Sequence, residues 1–120
     1  MQPLSPLGFS FFGLGKAMKT RREMLEEFVV QDPNDSFSRY ALALELEKES
    51  RTREAVPELR EVITRDPGYV AAYYHLGRLL AQIGLAEDAR DAYRRGLAAA
   101  ITSGDRRAGS EMQEALDMLE

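Results

Sequence analysis

Residues 66–89, DPGYVAAYYHLGRLLAQIGLAEDA, read as one helix–turn–helix unit. Residues 70–83 space their apolar side chains as a helix does. Gly84 is the residue best able to turn left-handed past a helix end, and a second helix follows over 86–102. The unit begins on an Asp-Pro step, which stops a helix because proline lacks the N–H and biases its predecessor away from helical angles. The same step stands at Asp32-Pro33, which sets a period of 34. In that register Tyr40 matches Tyr74, Leu42 matches Leu76, Leu46 matches Leu80, Ala55 matches Ala89 and Leu59 matches Tyr93. A repeated helix pair is a scaffold for holding another polypeptide, not a catalyst.

Working outward, residues 36–49 and 53–65 form the earlier pair. Asn34, Asp35 or Ser36 can cap its first helix, and Ala55, Leu59, Val62 and Ile63 make the inward stripe of its second. Pro57 is tolerated only near a first turn, which places that helix start near Arg53. The first helix is apolar on two sides. Leu42, Ala43 and Leu46 form one stripe, and Phe37, Tyr40 and Leu44 form the other. A helix of this kind touches neighbours on two sides or offers one stripe to a partner. Residues 17–31 form an earlier helix with Met18, Leu25, Phe28 and Val29 on one side and Met24 beside them. After Ser103-Gly104-Asp105, residues 106–120 close the chain with an amphipathic helix.

This pattern resembles the tetratricopeptide repeat, whose signature is a large residue, Leu-Gly and a large residue on the first helix, then Ala, an aromatic and Pro on the second. Tyr73, Leu76, Gly77, Leu80, Ala89 and Tyr93 carry it in the second copy. Small residues allow close helix approach: Gly77 and Ala89 there, Ala43 and Ala55 in the first copy. Arg39 takes the first copy's aromatic position, so its stem is expected to lie along the surface and its head to pair with a Glu. The resemblance implies an all-α solenoid of antiparallel helix pairs, a right-handed superhelical fragment. Its parts are a tail (1–16), a half-repeat (17–31), repeats at 32–65 and 66–102, and a capping helix (103–120).

Proteins similar to these repeats bind peptides in the concave groove lined by the first helix of each pair. Carried over, that face comprises Phe37, Tyr40, Leu44, Glu47 and Lys48 in the first copy. In the second it comprises Ala71, Tyr74, His75, Arg78 and Gln82. Tyr40 and Tyr74 are equivalent and are expected to project side by side, while Phe37 and Leu44 fit either groove or core. The carboxylate clamp of co-chaperone relatives is not implied, because Tyr40, Leu44 and His75 stand at its Lys and Asn positions. The expected function is a non-enzymatic adaptor for a protein or peptide. The alternative is a self-assembling structural protein, including a homodimer.

Composition supports that reading by exclusion. A chain of 120 residues, 44% apolar and 30% charged, is one ordinary globular domain with a thin core. Its net charge of −4 disfavours nucleic acid and anionic membrane, which attract cations. Arg94, Arg95, Arg106 and Arg107 read as solvated surface. With no Cys and one His, neither thiolate chemistry nor an ordinary zinc site is expected. His75 lacks an implied nucleophile or orienting carboxylate, and Gly8 to Gly15 lack the phosphate-loop spacing, so no enzyme and no cofactor are expected. No apolar run reaches the roughly 18 residues of a membrane span. The apolar start, MQPLSPLGFSFFGLGKA, is broken by glycines and has no basic residue before it, unlike a secretion leader. A cytoplasmic protein is expected. Its apolar start lies in the chain's own groove, lies in a neighbour's groove to make a dimer, or precedes a native start at Met18, the last being the favoured reading.

Overall fold

The structure, a computed structural model, describes residues 18–119. The tail thus lies outside the described residues. Among the described residues six helices follow in order: α1 (Arg21–Gln31), α2 (Ser36–Lys48), α3 (Thr52–Arg65), α4 (Val70–Gln82), α5 (Ala86–Ser103) and α6 (Arg106–Leu119). The fold is all-α and contains no strand among the described residues.

Local chemistry sets the ends. Thr20, not residue 17, opens α1 through a capping box: its hydroxyl accepts from Glu23 N at 3.1 Å, and Glu23 accepts from Thr20 N at 2.9 Å. Asp35 caps α2 by accepting from Ser38 N, and Asp105 caps α6 by accepting from Ala108 N. Asp32 and Asp66 end α1 and α3 at the two Asp-Pro steps. The ends of α2, α4 and α5 share one device. Arg51 N donates to Leu46 O, Leu85 N to Leu80 O and Asp105 N to Ala100 O, each at 2.8–2.9 Å, around a residue of positive φ. These are Schellman turns. Glycine fills two of them, Gly84 and Gly104, but Ser50 fills the first at φ 62°. Pro57 falls in the second turn of α3, later than its sequence reading allows. The backbone tolerates it because the carbonyl it leaves without a donor belongs to Arg53, which is exposed.

Packing follows the pairs. Leu42, Ala43 and Leu46 of α2 meet Ala55, Leu59 and Val62 of α3 in one continuous core with Ala72, Tyr73, Leu76, Leu80, Ala89 and Tyr93 of the second pair. Arg39 does pair with Glu58 across α2 and α3, at 3.0 Å. Gly77 is required by close approach, since a Cβ there would sit 2.5 Å from the Tyr93 ring. Gly96 plays the same role where α4, α5 and α6 meet: its Cβ would sit 2.5 Å from Tyr73 Cβ and would overlap the Met112 sulfur.

The two ends of the stack differ. In α6, Met112 and Leu116 are buried, while Gln113, Glu114 and Asp117 face solvent. Gln113 Nε2 donates to Asp117 there. In α1 only Leu25 is buried. Met18, Met24 and Phe28, read from spacing as part of an inward side, are instead 67%, 43% and 52% exposed. Helical spacing identifies a face, but burial needs a neighbour to cover it, and α2 covers only the Leu25–Val29 side.

Candidate functional site

Tyr40 on α2 and Tyr74 and His75 on α4 stand on the face shared by the first helices of the two pairs. All three are half-buried. The tyrosines do not touch each other directly. His75 lies between them, 5.4 Å from Tyr40 and 5.7 Å from Tyr74, with its ring edge-on to both. Tyr40 also meets Tyr69 at 5.1 Å, and Tyr74 meets Tyr93 at 6.1 Å. Such tilted and edge-to-face arrangements suit the aromatic quadrupole. The five rings thus run across the face from α2 to α5.

One ion pair ties the two repeats together beneath this row. Arg78 donates from both terminal nitrogens to Glu47, at 2.8 and 2.9 Å. This bidentate form fixes geometry as well as charge. It holds the Glu47 carboxyl below the usual range, mainly through the Arg78 hydrogen bond. Arg78 Nη2 also lies 3.2 Å from His75 Nδ1. A guanidinium can only donate, so Nδ1 accepts and the ring proton sits on Nε2. Burial pushes the His75 pKa down, and the Arg78 charge pushes it further; Glu47 opposes both. Burial likewise raises Tyr40 and Tyr93.

A titration checks this arrangement directly, since His75 is the chain's one histidine. Its imidazole NMR signal is expected to titrate below the ordinary value of about 6.5. A depressed folded-state pKa contributes stability that is present above the unfolded value and is lost as pH falls through the folded one. A signal titrating at or above the ordinary value would contradict the Arg78 contact.

The other expected site residues differ in exposure. Leu44 is half-buried and Phe37 is 67% exposed, so neither belongs to the core. Lys48 and Gln82 end their helices, exposed, with Lys48 Nζ 3.7 Å from Glu45. Ala71 is exposed and lines a cavity of about 330 Å³ with Val70, Tyr74 and His75. The opposite wall comes from α6, through Ala108, Glu111 and Met112. Sequence reading did not place α6, Tyr69 or Tyr93 at the site. Val70 opens α4 34 residues after Ser36 opens α2, whereas Arg106 opens α6 36 residues after Val70, so a fixed period misses it. The apolar spacing of Ala108, Met112 and Ala115 was the signal available.

Among the described residues, no three His, Asp or Glu side chains gather as a metal shell. No described helix is long and apolar enough to cross a membrane.

Known proteins share this architecture. Residues 40–104 match the tetratricopeptide repeat family. A TPR repeat-containing protein of Pseudomonas aeruginosa is 30% identical over 90 residues, which span 75% of this chain and 86% of the relative. The chain is similar to a tetratricopeptide repeat domain protein of Salinibacter ruber at 39% identity. That match has a TM-score of 0.71 and covers 74% of this chain and 90% of the other. PcrH, solved in complex with the chaperone binding region of PopD, shares the fold at 16% identity. Its TM-score is 0.77 over 98% of this chain and 89% of PcrH.

Proposed function

The chain belongs to the tetratricopeptide repeat family, and we propose that it is a non-enzymatic adaptor that seats a peptide or protein surface against α2, α4 and α6. One observation carries this reading. A row of half-buried rings spans two repeats, held in place by the Glu47–Arg78 pair and bounded by the α4–α6 cavity. Tyr is among the residues enriched at interface anchors, and rings held by packing lose little freedom on binding. The cavity offers room for an apolar side chain, while Lys48, Gln82 and Glu111 stand exposed around the face as orienting polar groups. PcrH, of the same fold, was solved with a segment of another protein bound, which supports the same kind of work here.

The test uses a displayed random-peptide library selected on the whole chain. Peptides are expected to emerge, and Tyr74→Ala is expected to weaken them about tenfold or more, a loss typical of an anchor residue. Circular dichroism of the variant should match the parent. If no peptide is selected, or if affinity is unchanged in a folded Tyr74→Ala, this face is not the site.

A further inference from the structure

Among the described residues, α1 is a second helix without its first. The positions that face a pair's own first helix are Ala55, Glu58 and Val62 in α3. Glu58 there meets Arg39 of α2. Their counterparts in α5 are Ala89, Ala92 and Gly96, and Gly96 meets Tyr73 of α4. Both sets are covered: Ala55 and Ala89 are 0% exposed, Val62 1% and Ala92 2%. The same positions in α1 are Arg21, Met24 and Phe28, of which Met24 is 43% and Phe28 52% exposed. This face has the placement of a helix-packing surface and no helix on it among the described residues.

We infer that this face of α1 pairs with the same face of a second copy, the two helices running antiparallel. The surface reads Arg21, Met24, Phe28, Gln31 at helical spacing, and that order is self-complementary. In an antiparallel pair, Met24 of each copy opposes Phe28 of the other, so two apolar contacts fill the centre. The basic start, Lys19 and Arg21, which pair with Glu27 and Glu45 of their own chain, then lies near the other copy's Gln31 and Asp32. Asp32 of each copy thus adds an opposite charge at each rim, and the helix dipoles also oppose favourably. Antiparallel is also the direction in which the two helices of each pair in the stack run. Arg21 stands where Ala55 and Ala89 let the helices of the other two pairs approach closely, so this face suits a looser contact. Two turns of helix bury less than the roughly 800 Å² per partner of a standard interface, so the pair is weak and concentration-dependent.

The chain contains no cysteine, so single substitutions report the register cleanly. Full-length Met24→Cys and Phe28→Cys proteins are mixed under mild oxidation. Val30→Cys, 78% exposed on another side of α1, serves as control. The mixed disulfide between positions 24 and 28 is expected to form about tenfold faster than the Val30→Cys homodimer, because pairing raises the local thiol concentration. Light scattering of the parent should show a concentration-dependent rise in mass that Phe28→Glu abolishes without loss of helicity. Equal cross-linking rates, or a parent monomeric at every concentration, overturn the inference. Slow reaction of both cysteines with a small thiol reagent also overturns it, and assigns the cover to the chain's own first residues. None of these outcomes touches the groove, whose peptide test stands separately.

Discussion

Gly96→Val is expected to cost about 3 kcal/mol or more, the upper end of overpacking penalties, and to lower the melting temperature by roughly 15 °C. A Cβ at Gly96 meets two kinds of neighbour. Met112 can swing its flexible end away. Tyr73 Cβ, 2.5 Å distant, is fixed to the α4 backbone and can retreat only if α4 and α5 separate. Tyr73 is itself tied down, its hydroxyl donating to Pro67 O at 2.6 Å. Gly68→Ala is the matched control. Its Cβ would have one neighbour, Asp66 Oδ1 at 4.0 Å, and φ there lies outside the left-handed region, so stability should hardly move. Thermal melts of the two variants decide the matter. Equal melting temperatures would mean that the crossing of α4 and α5 does not require glycine at position 96.

Met112→Asp is expected to undock α6. Met112 is 0% exposed and seals the junction with Gly96. A carboxylate there would be buried without a partner, at a cost of several kcal/mol. Repeat stacks are stabilised by nearest neighbours, so the loss should fall first on the terminal helix. Amide exchange should show α6 losing protection while α2 to α4 keep theirs. Peptides selected on the parent should lose affinity with the cavity wall. Met112→Leu keeps apolar volume and should cost less than about 1.5 kcal/mol while retaining binding. Uniform loss of protection across all helices would instead show one cooperative unit, and retained binding would remove α6 from the site.

These features were unequally legible in the sequence. The two Asp-Pro steps and the Leu42/Leu76 and Ala55/Ala89 equivalences suffice for the repeat, because turn chemistry and helix period are local properties. The Arg39–Glu58 pair was also legible, since an arginine at an aromatic position needs a partner within reach. The Glu47–Arg78 pair was not. Both residues lie on the expected face, but only the crossing of α2 and α4 brings them to 2.8 Å. The placement of His75 between Tyr40 and Tyr74 depends on the same crossing. On α1, spacing alone put Met24 and Phe28 with the inward side, because an apolar residue awaiting a neighbour looks the same in sequence as one that has found it.

The unlike ends of the stack give the array a polarity of growth. Another helix pair joined after α6 would meet Gln113, Glu114 and Asp117, polar groups already satisfied by water and by their own hydrogen bond, although Met118 on the same helix is also exposed. One grafted ahead of α1 would meet Met24 and Phe28, which gain by being covered. An engineer lengthening this protein would therefore build upstream and leave α6 as the stop.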